Sequence, residues 1–124
     1  MYLPDTNAVI DFCNSKLPLN AKNVLSAHEP AISVITHIEL FASPKISDKE
    51  RLQLEQFVQI AIVYDHINAD IINHTIAIRQ QYKTPLPDAV IAATALANNL
   101  ELVTRNKADF KNIEGLRIVD PYEM

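Results

Sequence analysis

The chain has 124 residues, 48% of them hydrophobic, and a formal net charge of −4 from 15 acidic against 11 basic residues. That is one domain's worth of chain (residues 1–124) with enough apolar content for a core, so wholesale disorder is excluded. The charge excludes a scaffold that grips nucleic acid through a broadly basic surface, but not an acidic cleft that meets phosphate through metal ions or binds a basic protein partner. The single cysteine, Cys13, rules out a disulfide within the chain, reads as a packed or idle thiol, and suits a reducing cytoplasm. The N-terminus carries no secretory pattern and the longest apolar stretch, 89–97, is too short to span a bilayer. A soluble cytoplasmic protein with no membrane role is expected. Gly115 is the only glycine, which removes the folds built on Gly-rich phosphate loops. Aromatic content is 6% without tryptophan, so a base-stacking platform is not evident.

Taken in chain order, residues 2–5 read as a short strand and 7–13 as a helix capped by Thr6 or Asn7. Residues 19–27 give a second helix, and 31–34 a strand entering a helix over 35–41. Residues 48–61 carry Leu52, Phe57, Val58 and Ile60–Ala61 on an amphipathic pattern, and 62–64 are a β-rich triplet. Ile71, Ile72, Ile76 and Ile78 lie at helical spacing within 69–82. Residues 88–98 form an Ala-rich helix opened by Pro87 and Asp88, positions where both residue types are favoured. Strands follow at 100–104 and 117–119, with Pro121 ending order. Alternation of this kind implies βαβ units, parallel pairing and right-handed crossovers. The fold class is therefore α/β, with the functional crevice beyond the carboxyl ends of the strands.

Three of four candidate carboxylates are expected at that crevice, and the fourth, Glu39, can reach it from its helix. Asp5 ends the first strand, Glu39 lies in the helix after the second, Asp88 opens the Ala-rich helix, and Asp109 follows the strand at 100–104. Like charges packed together raise one another's pKa unless a cation binds, and a hard divalent ion removes that penalty. Oxygen-only ligands with retained waters suit Mg²⁺ or Mn²⁺, which can activate a water and neutralise a phosphodiester. The competing toolkits are absent: His28, His37, His66 and His74 show no zinc-binding spacing, and there is no nucleophile elbow. Spacing alone leaves a shared metal site and a set of unrelated rim carboxylates equally open.

The same residues resemble the PIN-domain family, and within it the VapC-like ribonuclease toxins of bacterial toxin–antitoxin pairs. Tyr2-Leu3-Pro4-Asp5-Thr6-Asn7-Ala8-Val9-Ile10-Asp11 resembles the strand-one signature, and Ser33-Val34-Ile35-Thr36-His37-Ile38-Glu39-Leu40 the second acidic motif. Leu86-Pro87-Asp88-Ala89-Val90-Ile91-Ala92-Ala93-Thr94-Ala95 is similar to the family's most recognisable stretch. Leu102-Val103-Thr104-Arg105-Asn106-Lys107-Ala108-Asp109-Phe110 resembles the last motif, and Val119-Asp120-Pro121 the usual ending. The motifs occur in order over nearly the whole chain.

The resemblance implies a single PIN-like domain with a central parallel sheet of order 3-2-1-4-5 flanked by helices. It implies a Mg²⁺- or Mn²⁺-dependent endoribonuclease, with Asp5, Glu39 and Asp88 as metal ligands and Asp109 completing the acidic pocket. Thr6, Asn7, Thr104 and Asn106 would orient those carboxylates. It also implies a homodimer, or a larger assembly with a cognate antitoxin whose tail occupies the acidic groove. DNA would be met only indirectly, through the antitoxin.

One residue departs from the pattern. Pro4 stands where an aliphatic residue is usual, and in a central strand it deletes a ladder donor. Either that N–H has no partner here, or the strand end is displaced and Asp5 with it. Several residues have plainer readings: Asp88 as a helix N-cap, Asp109 and Asp120 as turn residues, Asp11 as a solvated helix residue. Arg79 and Arg105 either contact RNA phosphate or pair with a carboxylate. The intact acidic set argues against an inactive interaction module that only titrates or co-represses with its partner, and two other functions compete. One is a housekeeping PIN nuclease that matures RNA without toxicity. The other is a receiver-like phosphoacceptor domain, which needs an acidic pair after strand one and a lysine after the last strand. Here Thr6-Asn7 follows Asp5, and residues 117–120 contain no lysine.

Overall fold

A computed structural model describes all 124 residues. The strands are short: β1 (Tyr2–Pro4), β2 (Ala31–Ser33), β3 (Ile62–Tyr64), β4 (Glu101–Val103) and β5 (Ile118–Val119). The helices are α1 (Thr6–Cys13), α2 (Leu19–Ser26), α3 (Val34–Ala42), α4 (Asp48–Ile60), α5 (Ala69–Gln81), α6 (Leu86–Ala97) and α7 (Lys107–Phe110). A 3-10 turn over Pro121–Glu123 ends the chain. All strand pairings are parallel, as helical crossovers between strands require.

Hydrogen bonding divides the strands into a β1-β4-β5 group and a β2-β3 pair. β1 lies beside β2, so the neighbour order is the expected 3-2-1-4-5, with no ladder at the 2-1 seam. Pro4 lies on the seam side of β1. Met1 O accepts from Glu101 N at 2.9 Å and Asp5 N donates to Val103 O at 3.0 Å, so the odd-numbered residues of β1 turn their backbone groups to β4. Alternation then points Tyr2 and Pro4 toward β2. The donor that proline lacks lies on the unladdered side, and Asp5 keeps its register against β4.

Adjacent strand residues feed opposite faces of the sheet. Leu3, Ala31 and Leu102 join the larger core with α5, α6 and Phe110. Ile32 joins a smaller one with Val9, Leu40, Leu54 and Phe57. In α6 every residue from Ala89 to Ala95 is buried, which explains why its sequence is apolar on all sides.

Several expectations need correction. Asp5, not Thr6 or Asn7, is the N-cap of α1: its side chain accepts from Ala8 N at 2.9 Å. The Ala-rich helix starts at Leu86, with Pro85 before it, so Asp88 lies in the first turn and is not a cap. On α4 the buried residues are Leu54 and Phe57, while Leu52 and Ile60 are 56% and 66% exposed. On α5 Ile71, Thr75 and Ile78 are buried, and Ile72 and Ile76 face outward. Pro121 does not end order; it is buried in the closing turn.

Candidate functional site

The carboxylates come from four different elements. Asp5 sits where β1 hands over to α1, Glu39 in the middle of α3, Asp88 in the first turn of α6, and Asp109 in α7. Asp5 is half-buried because it fills the gap between the strand end and the helix start, and its Oδ1 is spent on the Ala8 N–H. Burial pushes its carboxyl above the ordinary aspartate range. The Thr104 hydroxyl and the Ala8 N–H work against that shift, and the charges of Asp11 and Glu39 add to it. Thr104 is suited to donate there, since its Oγ1 already accepts from Asn106 N at 3.0 Å and its own hydrogen remains free.

Asp88 is the hub. Burial raises its carboxyl first, and then the negative charges of Glu39, Asp109 and Asp5 raise it further, in that order. One carboxyl thus feels all three of the others. The outer two are exposed but oriented. The Thr6 hydroxyl donates to Glu39 Oε1 at 2.6 Å, and Asn106 Nδ2 donates to Asp109 Oδ2 at 2.6 Å. No three acidic, histidine or cysteine side chains close up tightly enough to enclose an ion by themselves. The four form a rim rather than a cage.

A sequence model of the PIN domain matches residues 2–116 of the chain. The chain belongs to the PIN domain family. Its structure is similar to a chain of a toxin–antitoxin complex from Klebsiella pneumoniae, at 36% identity over 100% of both chains and a TM-score of 0.78. It is also similar to DNA-bound VapBC from Salmonella typhimurium, at 28% identity, 97% of both chains and a TM-score of 0.81. A third likeness is VapBC2 from Rickettsia felis bound to a promoter DNA fragment, at 26% identity over 95% of this chain and 96% of that one, TM-score 0.78. No curated protein sequence matches.

The PIN assignment sets aside the receiver-like alternative and bears out the resemblance read from the motifs. Within the PIN domain here, Asn7 is the residue of the expected set that the structure leaves exposed and outside the hydrogen-bonded arrangement. Two buried residues that the sequence reading passed over take part instead. Ser33 caps α3 by accepting from Thr36 N at 3.1 Å, and the Thr36 hydroxyl lies 3.3 Å from that of Thr6. The signal was available, since Ser33 three residues before Thr36 is helix-start spacing. Asp11, read as solvated, accepts from the Tyr122 hydroxyl at 2.8 Å. Asp120 is a turn residue as expected, its Oδ1 accepting from Tyr122 N at 2.8 Å. Arg79 meets neither carboxylate nor open solvent alone: Nη1 donates to Thr84 O at 2.6 Å. No helix is long and apolar enough to cross a membrane.

Proposed function

We propose that this PIN domain is a VapC-like toxin, a cytoplasmic endoribonuclease that hydrolyses RNA phosphodiester bonds at a Mg²⁺ or Mn²⁺ site formed by Asp5, Glu39, Asp88 and Asp109. The observation that carries the reading is Asp88, whose carboxyl is raised by burial and by all three of the other carboxylates at the strand-end rim. Such a cluster is unfavourable in the absence of cations and favourable in their presence. The donor set is entirely oxygen, which suits a hard divalent ion that keeps several waters and takes further ligands from a phosphate. A bound ion would activate a water and offset charge on the leaving oxygen. The chain's own part is orientation. Ala8 N–H and Thr104 fix Asp5, Thr6 fixes Glu39, and Asn106 fixes Asp109, which completes the pocket from its outer edge.

A cognate antitoxin and a second copy of the chain are the proposed protein partners, with DNA reached only through the antitoxin. The DNA-bound VapBC likenesses and the apolar side chains exposed on α3 and α5 (Ile38, Ile72 and Ile76) support this. The experiment is cleavage of structured RNAs by purified protein in Mn²⁺ or Mg²⁺. Cleavage that survives EDTA would overturn the metal mechanism. Growth arrest on expression, relieved by a small protein encoded beside it, separates the toxin from a housekeeping nuclease.

The raised carboxyls give a metal-linked stability. Groups raised on folding stabilise the fold below their ordinary value of 3.8, and that contribution is lost as pH climbs through the raised one. At neutral pH the metal-free protein therefore carries the full cost of burying these charges beside one another. Mn²⁺ at about 100 times its dissociation constant should stabilise it by about 2.7 kcal/mol, read as a rise in melting temperature. The rise should shrink as the buffer is taken toward the ordinary aspartate value. No rise at neutral pH would refute binding at the rim.

Thr6→Val keeps the volume and removes the donor to Glu39. Cleavage should fall about 10- to 100-fold, as loss of an orienting partner does at metal sites, with little change in melting temperature. Wild-type rates from Thr6→Val would show that Glu39 needs no such hold.

A further inference from the structure

An acidic rim repels the phosphates flanking any bond it cleaves, so RNA binding calls for a cation beside it. Lys107 and Arg79 are already engaged. Lys107 Nζ donates to both carboxylate oxygens of Glu123, at 2.9 and 2.7 Å, and Arg79 is used on Thr84 O. Arg105 differs. It follows Thr104, which serves Asp5, and precedes Asn106, which serves Asp109, so its backbone belongs to the rim.

Its guanidinium lies over the Tyr122 ring, 5.1 Å from the centroid. The nearest carboxylate oxygen, Asp11 Oδ2, is 4.0 Å from Nη1, beyond hydrogen-bond length. That oxygen already accepts from the Tyr122 hydroxyl at 2.8 Å. The ring is itself fixed, because Asp120 caps its backbone and Pro121 is buried beneath the turn. Arg105 is thus held in place by the face contact to Tyr122 and a long ion pair with Asp11, and its side chain is still 64% exposed. A planar fork with free donors matches a phosphate oxygen pair.

We propose that Arg105, supported by Tyr122 and Asp11, is the binding site for a backbone phosphate of the RNA next to the cleaved bond. This rests on the nuclease reading of the same rim. The closing turn then has a purpose beyond covering the sheet edge: it sets the pose of Arg105.

The test uses cleavage kinetics and fluorescein-labelled single-stranded RNA of mixed sequence, the latter bound to Asp88→Asn protein so that binding is read without turnover. One lost single-strand phosphate contact lowers the slope of log affinity against log salt by about 0.7. For Arg105→Ala this predicts a loss of affinity, and a rise in KM, of about fourfold near 0.15 M salt and about eightfold near 0.05 M. The turnover number should stay within about twofold of wild type. Arg105→Lys keeps the charge and should keep most of the slope. Tyr122→Ala should raise KM as Arg105→Ala does. If wild type cleaves RNA but Arg105→Ala leaves KM and salt slope unchanged while lowering the melting temperature, Arg105 merely pins the C-terminal turn and the proposal fails alone. If wild type cleaves no RNA with either metal, the nuclease reading fails and takes the proposal with it.

Discussion

Asp5→Asn should abolish RNA cleavage and at the same time make the metal-free protein more stable at neutral pH. Losing a ligand that stabilises transition-state charge by about 4 kcal/mol lowers the rate roughly a thousandfold. The stability gain has a separate cause. Asp5 is raised by burial and by the charges of Asp11 and Glu39, so its ionised form is a cost to the fold at neutral pH. Asparagine removes the charge and keeps the cap, since its side-chain oxygen can accept from Ala8 N as the carboxylate does. The sign is fixed by linkage. A raised aspartate adds stability below 3.8 and loses it as pH rises through its folded value, whereas asparagine is flat. The two melting curves should therefore coincide in acid and diverge toward neutrality, with the variant higher. Mn²⁺ should lift wild type and leave the variant nearly unmoved. A variant that cleaves at the wild-type rate, or melts lower than wild type at neutral pH without metal, would contradict the assignment of Asp5.

What the sequence made readable was whatever has a local cause. The Ala-rich stretch of α6 announces a helix buried on all sides, and its proline and acidic opening set the position of Asp88 to within two residues. Strand–helix alternation predicted the parallel pairing and the strand-end rim, while the order 3-2-1-4-5 came from the family resemblance. Glu39 needed the family resemblance, because its contact with Thr6 joins residues 33 apart and leaves no local trace. The Asp11–Tyr122 bond joins residues 111 apart, so the role of the C-terminal turn was out of reach and Pro121 read only as a breaker. Periodicity also could not choose between two apolar stripes on one helix. Leu52 and Ile60 compete with Leu54 and Phe57 on α4, and packing against Val9 and Ile32 decides for the latter. α7 went unseen because four residues are too few to show a period. Pro4 posed a real question, and the answer lay in which side of β1 its missing donor faces.

Phe110→Ala should have the largest effect on stability among substitutions near the rim. α7 is a single turn, and an isolated turn has no stability of its own. Phe110 is its anchor: 2% exposed, it joins the core shared by Leu3, Leu102, Ile71 and α6. Truncation leaves a cavity under α7 and should cost about 3–5 kcal/mol, read from the midpoint of denaturant unfolding. The consequence for the site follows from what α7 carries. Asp109 and its partner Asn106 lie within one turn of the anchor, so Phe110→Ala should also weaken the metal-induced rise in melting temperature beyond what the lower starting stability explains. Phe110→Leu keeps most of the volume and should recover much of both, since near-isosteric core swaps usually cost under about 1.5 kcal/mol. If Phe110→Ala loses less than about 1 kcal/mol, the side chain is not packed as the core requires. If it loses the expected stability yet binds Mn²⁺ as tightly as wild type, Asp109 contributes nothing to holding the ion. The site then reduces to Asp5, Glu39 and Asp88, with Asp109 acting on Asp88 through its charge alone.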